Sequence, residues 1–392
     1  MSYLRRISTR SLIVLLVAVL ALAAGGAAIA VAAGGGGPTP PPKPLDEAIH
    51  DALGSNGPAG VTARIRFTNK LFPSGALLGQ AGSALMSGAS GRLWATNDGR
   101  GRIELQSDSG DVQIVWNQKV ISAYDASSNT VYRADLPAGD NHGATHGATR
   151  PTLGGIDTFL AELGKHWLVS AAHPTHVAGN AAYSVSVAPK HDGGLLGSLE
   201  LAWDALRGTP LKAAIFAQGS SSPVLGLTVT SISYGSVSAG DVDVAPPAGA
   251  KVVDLGSSEH GNEKAGGSGP AVTGIDAVEA AAGFQVIAPD SLVGLPRKDV
   301  RLVGSSGSKT VLAVYGEGLG AILVVERKAA AGSHGSADIT SSLPKVSLDG
   351  LTGRELATQL GTVIQWQRGG TEYLLAGSVP PAAAETAARD LK

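Results

Sequence analysis

Alternation of apolar and polar residues is the feature that most constrains the fold of this chain. It begins at Val61, where Ile65 and Phe67 alternate with Arg64 and Arg66. A repeat of two residues places successive side chains on opposite faces of a strand, so that one face is apolar and the other is wet. The pattern therefore predicts an antiparallel sheet with one face packed on a core.

The alternation recurs in short segments separated by turn sequences, among them NDG at 97–99 and SDSG at 107–110. Consecutive strands with such short connections predict an antiparallel meander. The predicted strands are Arg92–Thr96, Arg102–Ser107, Val112–Trp116, Lys119–Tyr124 and Thr130–Ala134, and then Tyr183–Val187, Ser198–Trp203, Leu211–Ala217 and Leu225–Tyr234. Helices are predicted at 46–53 and 156–163, where the apolar spacing changes to that of a helix face.

A second domain is predicted after a Gly/Ser-rich linker at 256–272. Its pattern is α+β. The predicted helices are Asp276–Ala282, Arg354–Leu360 and Ala382–Leu391, and the predicted strands are Phe284–Ala288, Asp299–Val303, Thr310–Tyr315, Ala321–Arg327, Thr362–Gln367 and Thr371–Ala376. The predicted domains are therefore residues 46–255 and 273–392.

The N-terminus indicates export. Arg5, Arg6 and Arg10 precede the apolar run Leu12–Ala33, which is 22 residues long and would measure roughly 33 Å as a helix. Residues 1–37 are either a transmembrane anchor with the arginines inside or a cleaved signal peptide, and both alternatives remain open. Either one makes the rest of the chain extracytoplasmic. The proline-rich linker at 38–45 predicts a stiff spacer of about 20 Å between the membrane and the first domain.

Composition excludes several classes of chemistry. The chain has no cysteine, which excludes disulfides, thiol catalysis, Cys-ligated zinc, iron–sulfur clusters and a lipid-modified Cys anchor. A net charge of −2 and the lack of a basic cluster beyond the N-terminus argue against a nucleic-acid partner. The Ala/Gly-rich, Lys-poor usage is typical of a GC-rich bacterium such as an actinobacterium.

No catalytic motif stands out, and we expect neither enzyme activity nor a cofactor. The glycines at 316, 318 and 320 predict a hairpin turn rather than a dinucleotide loop. The histidine pairs 142/146 and 173/176 lack further ligands, so we interpret them as loop residues and expect no metal. Glu200 and Asp204 lie too far apart on one strand for paired-carboxylate chemistry, so we interpret them as polar positions on a wet sheet face.

The apolar sheet face needs a cover, and a cover that leaves space would create an apolar cavity. Whether the covering helices fill this space is left open by the sequence. Because aromatic residues make up only 4% of the chain, a cavity would be lined mainly by aliphatic side chains. The candidate lining residues are Ile65, Phe67, Leu93, Ile103, Leu105, Ile114, Trp116, Val185, Leu201 and Ile215.

Several segments together resemble the LolA/RseB-like lipoprotein-carrier family. They are WNQKVISAYD at 116–125, YSVSVAP at 183–189, LELAWD at 199–204, GTPLK at 208–212, ISYG at 232–235 and PPAGAKV at 246–252. The resemblance covers about residues 61–255 and rests on the order of elements with a few fixed residues. Residues 284–377 in turn resemble the small α+β domain that trails anti-sigma and stress-sensing membrane proteins.

The resemblance implies a half-open antiparallel β-barrel with helices as a lid and a cavity for acyl chains. In the LolA branch the ligand is a lipoprotein in transit, whereas in the RseB branch the fold carries a smaller C-terminal domain and restrains an anti-sigma factor. The chain departs from LolA in its apparent tether, and from related mycobacterial carriers in lacking an acylated Cys. We expect a non-enzymatic carrier of lipid or lipoprotein acyl chains; the alternative is an envelope-stress regulator that binds an anti-sigma factor. A membrane transporter is a further candidate partner, and the role of loop 136–152 stays open.

Overall fold

The computed structural model describes residues 37–55, 57–71, 84–136, 151–254, 272–304, 309–329 and 343–391. Within these ranges no helix is long and apolar enough to cross a membrane. The predicted anchor or signal segment at 12–33 lies outside the described residues, as do His142 and His146. The described chain is mostly β-sheet with a few helices, which makes the fold α+β.

The first sheet is a half-barrel of thirteen strands. Its strands are β1 Gly60–Asn69, β2 Ala89–Thr96, β3 Gly101–Ser107, β4 Gly110–Trp116, β5 Val120–Asp125, β6 Thr130–Asp135, β7 Trp167–Val169, β8 His173–Val177, β9 Asn180–Pro189, β10 Leu196–Asp204, β11 Pro210–Ala217, β12 Leu225–Tyr234 and β13 Lys251–Asp254. Its helices are α1 Leu45–Gly54, α2 Ala84–Ser87, α3 Leu153–Leu163 and α4 Ala239–Val242.

The order of the strands is β13-β6-β5-β4-β3-β2-β1-β12-β11-β10-β9-β7, with β8 paired to β9. The first strand, β1, pairs with both β2 and β12 and so joins the two meanders. All pairs within each meander are antiparallel, whereas β13 pairs with β6 in parallel at the edge. The predicted meander is confirmed, with ends that differ by up to three residues.

Strands β7 and β8 were not predicted from the sequence. The residues of β8 are HPTHV, and proline and histidine are uncommon inside strands. Pairing with β9 nevertheless holds this segment extended, with His176 opposite Ala181. Tertiary pairing therefore overrides local preference at this edge.

The second sheet has eight strands in the order β14-β15-β16-β17-β21-β20-β19-β18. The elements are α5 Ile275–Ala282, β14 Ser291–Leu292, β15 Leu295–Val303, β16 Thr310–Tyr315, β17 Ile322–Lys328, β18 Lys345–Leu348, β19 Leu351–Thr358, β20 Gly361–Arg368, β21 Thr371–Gly377 and α6 Pro381–Asp390. The glycines at 316–320 lie in the turn between the antiparallel strands β16 and β17, as predicted.

Two predictions in this region are wrong. Residues 354–360, predicted as a helix, largely belong to β19, which pairs with β18 and β20 along its length. Their sequence RELATQL is rich in helix formers, but the two neighbouring strands decide the outcome. Phe284–Ala288, predicted as a strand, is irregular, and the N–H of Ile287 donates a hydrogen bond to the side chain of Glu326 rather than to a neighbouring strand.

The core of the half-barrel lies on one face of the sheet. Helix α2 packs on this face through Ala84, which is fully buried in the main cluster. Helix α1 packs through Ala48 on a separate cluster with Tyr183, Val185 and Trp203. Neither α1 nor α2 covers the part of the sheet face formed by β1, β2 and β12. The site described below lies in this uncovered part.

The proline-rich spacer does not project as a rod. Pro44 has the extended backbone expected of polyproline (φ −55°, ψ 152°), but the C=O of Pro41 accepts a hydrogen bond of 2.6 Å from the Tyr183 hydroxyl. The ammonium of Lys43 lies 5.6 Å from the centre of the same ring. The spacer is therefore fastened along the first domain.

Candidate functional site

A cleft with a volume of about 340 Å³ opens at one end of the half-barrel. Its size lies at the lower end of the range for ligand pockets, about 300–1,000 Å³. The floor is aliphatic and the rim is polar. The lining residues are Ala52, Leu53, Ser55, Gly57, Pro58, Gly60, Val61, Ala63, Ile65, Leu93, Ala95, Thr96, Asn97, Arg207, Gly208, Thr209, Pro210, Leu227, Val229 and Ile232.

The wall of the cleft is formed where the end of α1 meets the turn between β10 and β11. The Ser55 hydroxyl donates a hydrogen bond of 2.7 Å to the C=O of Arg207. Gly208 has φ +62°, and a Cβ at this position would lie 2.2 Å from the C=O of Ala52. Glycine is required here both for the left-handed backbone and for the close approach of the helix. The wall is therefore a rigid contact of two main chains.

Asp204 anchors the same turn from below. Its carboxylate accepts hydrogen bonds from the N–H groups of Leu206 (2.8 Å) and Arg207 (2.9 Å). It also accepts a bond of 2.6 Å from the hydroxyl of Tyr234. Burial, followed by the bond to Asp204, raises the pKa of Tyr234 well above its ordinary value, so this phenol stays a donor. The guanidinium of Arg207 stacks 4.3 Å from the centre of the Tyr234 ring.

The interpretation of Asp204 and Glu200 as polar positions on a wet face is wrong for Asp204. Asp204 is only 1% exposed, because the turn folds over it. Glu200 pairs instead with Lys212, at 2.6 Å between Nζ and Oε2. The two carboxylates thus have different partners, and each is held by a structural contact.

The ten predicted lining residues are only partly brought together. Ile65 and Leu93 line the cleft. Val185 lies in the separate cluster beneath α1. Leu201, which pairs with Val185 and Ala213, is 42% exposed. The others pack in or against the main core of the half-barrel, and they are Phe67, Ile103, Leu105, Ile114, Trp116 and Ile215.

The sequence reasoning missed the residues that close the cleft. Arg207, Gly208 and Thr209 lie in a turn, and alternation along strands gives no signal for them. The RGTP sequence at 207–210 is a turn signal, but nothing local indicates that α1 packs on it. Only the contact between two segments about 150 residues apart creates the wall.

The remaining histidine pair is not brought together on one face. His173 and His176 are three residues apart on β8, so they point to opposite faces of the strand. Across the described ranges, no group of three or more His, Asp or Glu side chains is arranged to hold a metal ion.

The second domain contains a buried carboxyl group, Glu326 on β17, which is 0% exposed. One of its oxygens accepts a hydrogen bond of 3.0 Å from the N–H of Ile287, and the other has no hydrogen-bond partner. Burial raises the pKa of Glu326 to about 7. Because solvent does not reach this group, a substrate cannot contact it. Its protonation state instead affects the stability of the second domain.

Comparisons with known proteins were made for the whole chain. No family model matches it, and no curated protein matches it. Among solved structures it is similar to MucB in complex with MucA(peri), with 15% identity, a TM-score of 0.39 and coverage of 89% of this chain and 96% of that chain. It is also similar to the Pseudomonas aeruginosa MucA/MucB complex, with 14% identity, a TM-score of 0.41 and coverage of 88% and 96%.

A shorter match is an uncharacterized conserved protein from Thermus thermophilus, with 11% identity and a TM-score of 0.33. It covers 53% of this chain and 98% of that chain. The roles of individual residues are taken from the geometry of this chain alone.

Proposed function

We propose that this protein is an extracytoplasmic, non-enzymatic regulator that binds a membrane anti-sigma factor, as RseB-like proteins do. The observation that carries the proposal is the docking of the second domain onto the half-barrel by hydrogen bonds, each of which uses at least one main-chain group. Two docked domains can adopt more than one relative arrangement. A partner that binds one of these arrangements more tightly increases its population, so such a protein can act as a switch.

The docking contact contains direct hydrogen bonds. The N–H of Leu195, next to the turn between β9 and β10, bonds the hydroxyl of Ser378 at 2.9 Å. The N–H of Gly320 bonds the C=O of Asp192 at 2.7 Å. On the other side, the Gln359 amide donates to the C=O of Lys70 at 2.7 Å. Contacts between domains that are polar and limited in number permit relative motion.

The class of partner follows from the family resemblance of the first domain, and the MucB–MucA complexes are solved examples of such a pair. The direct test is to cross-link the full chain in membranes of its own host and to identify the captured proteins. We expect a membrane-bound sigma-factor regulator. Its absence, together with unchanged sigma-dependent transcription after deletion of this chain, would contradict the proposal.

The cleft supports a second candidate function, the binding of acyl chains of a lipid or lipoprotein. Its floor presents aliphatic side chains such as Ala63, Leu227 and Val229, and apolar ligands bind where such surface is removed from water. We expect a fluorescent fatty acid to bind the protein and Ala95→Phe, which fills the cleft, to abolish binding. The matched control is Ala126→Phe, at an exposed position in the turn between β5 and β6. Equal binding by both variants would exclude the cleft as the acyl site.

A further inference from the structure

We propose that the end of the half-barrel with the cleft rests on a lipid bilayer, with Leu206 and Leu53 inserted into the interface beside the tether. This inference rests on the extracytoplasmic location of the proposed function and on the anchor alternative for residues 12–33, and it adds a contact surface and the source of an apolar ligand. The cleft would then open directly onto the membrane.

Two exposed leucines flank the mouth of the cleft. Leu206 is 78% exposed and Leu53 is 54% exposed. Leu53 lines the cleft, and Leu206 directly precedes Arg207, which also lines it. Single exposed apolar residues are common on soluble proteins. A pair that borders an apolar cleft extends the apolar surface outwards, as expected at a lipid contact.

The leucines are held on a rigid tip. The N–H of Leu206 is fixed by the buried carboxylate of Asp204 at 2.8 Å. The turn of Leu206 is fastened to the end of α1, the helix of Leu53, through the bond from Ser55 to Arg207 and the close approach of Gly208. Exposure of both side chains is therefore built into the fold.

The chain enters the first domain at this same end. A Cβ at Gly37 would lie 2.7 Å from the His176 ring, and His176 is the cross-strand partner of Ala181. The C=O of Ala181 accepts a hydrogen bond of 2.9 Å from Ala205, which directly precedes Leu206. These steps add up to about 25 Å at most between Gly37 and Leu206.

The tether leaves little room above the membrane. The apolar run ends at Ala33, and four residue steps to Gly37 span at most about 14 Å. Because the proline-rich spacer is fastened to Tyr183, it does not lengthen this distance. The tip is thus held within reach of the interface, where a high local concentration makes a weak contact effective.

The charges at the tip suit a lipid surface. The guanidinium of Arg207 lies 3.5 Å from the Asp204 carboxylate and stacks on Tyr234, but its side chain is still 43% exposed. Its exposed edge can reach the phosphate of a headgroup while the stem stays apolar. Of the exposed carboxylates near this end, Asp51 pairs with Lys43, and Asp98 and Asp243 share Arg100. Asp204 itself is buried.

The test uses the absence of cysteine in the chain, which makes a single introduced cysteine the only labelled site. The full chain with Leu206→Cys carries an environment-sensitive fluorophore and is reconstituted in vesicles of phosphatidylcholine and phosphatidylglycerol containing spin-labelled lipids. We expect a blue shift and loss of emission by quenching. Leu53→Cys provides a second site at the tip.

The matched control is Leu168→Cys. Leu168 is also an exposed leucine (56%), but it pairs with Ala188 at the far end of β9 from the tip. We expect no quenching there. Absence of quenching at position 206, or equal quenching at positions 206 and 168, would overturn the inference. A blue shift that occurs without lipid and grows with protein concentration would also overturn it, because it would indicate contact between copies of the chain.

Failure of the inference and failure of the tether are distinguishable by flotation. A chain that floats with vesicles while the label at residue 206 stays unquenched contradicts the lipid contact alone. A chain that does not float contradicts both the contact and the anchor, and binding of the anti-sigma factor is then still measured independently by cross-linking.

Discussion

Replacing Glu326 by glutamine should stabilise the second domain at neutral and alkaline pH. The carboxyl is fully buried, and burial raises its pKa from 4.5 to about 7. Below pH 4.5 the group is protonated in both the folded and the unfolded chain, so it has no effect on stability. As the pH rises, the unfolded chain loses its proton first, and wild-type stability falls until the folded group also ionises near pH 7.

The magnitude follows from the size of the rise. At about 1.4 kcal/mol for each pKa unit, the change from 4.5 to about 7 corresponds to about 3 kcal/mol. A glutamine keeps an acceptor for the N–H of Ile287 and does not titrate. We therefore expect Glu326→Gln to match the wild type near pH 4 and to exceed it by about 3 kcal/mol at pH 8.

Hydrogen-exchange mass spectrometry of peptides from β17 measures the opening free energy of this domain separately from the half-barrel. Glu279→Gln is the control, because Glu279 is an exposed residue of α5, and we expect it to leave the pH profile unchanged. A gain from Glu326→Gln of equal size at pH 4 and pH 8, or a loss at pH 8, would refute the argument from burial.

Three further substitutions test the cleft and the docking contact. Asp204→Asn replaces a carboxylate oxygen, which accepts hydrogen bonds, by an amide NH2 group that faces other donors. We therefore expect the free energy of unfolding in urea to fall by about 1–3 kcal/mol. An unchanged midpoint would show that the turn does not depend on the charge. Gly208→Ala should lower the melting temperature more than Gly179→Ala. Both glycines have positive φ, but only the Cβ added at position 208 would clash with another residue, Ala52 of α1. Equal effects would mean that α1 tolerates the added methyl group. Gly194→Val, whose Cβ would lie 2.4 Å from the C=O of Ser378, should enlarge the radius of gyration in X-ray scattering, whereas Gly219→Val, in open space, should not; compact particles in both cases would argue against a separable contact.

The strands of the half-barrel follow from the sequence because each is specified locally by its own alternation. The segment Ile103 to Trp116 illustrates this, since its inward residues are buried and its outward residues are wetter. The helix predicted at 354–360 fails for the opposite reason, because its local preference is helical while β18 and β20 pair with it from both sides.

The sequence leaves open whether a cleft exists, and its candidate lining residues coincide only in part with those of the cleft. Alternation identifies the inner face, so Ile65 and Leu93 are found, yet it does not show which parts of that face a helix covers. Val185 lies beneath α1 and Leu201 lies exposed although the two residues pair across neighbouring strands. That difference depends on the packing of α1, a contact between distant segments that no local pattern contains.

The central claim is that the protein binds a membrane-bound anti-sigma factor, and its simplest form places that partner at the cleft, which Ala95 lines. The most direct measurement places a photo-reactive amino acid at Ala95 in the full chain and irradiates membranes of the host, with the exposed Ala126 as the control position. We predict that position 95 forms an adduct with a membrane-bound sigma-factor regulator and that position 126 does not. No adduct with such a regulator at position 95, or adducts of equal yield at both positions, would contradict the claim.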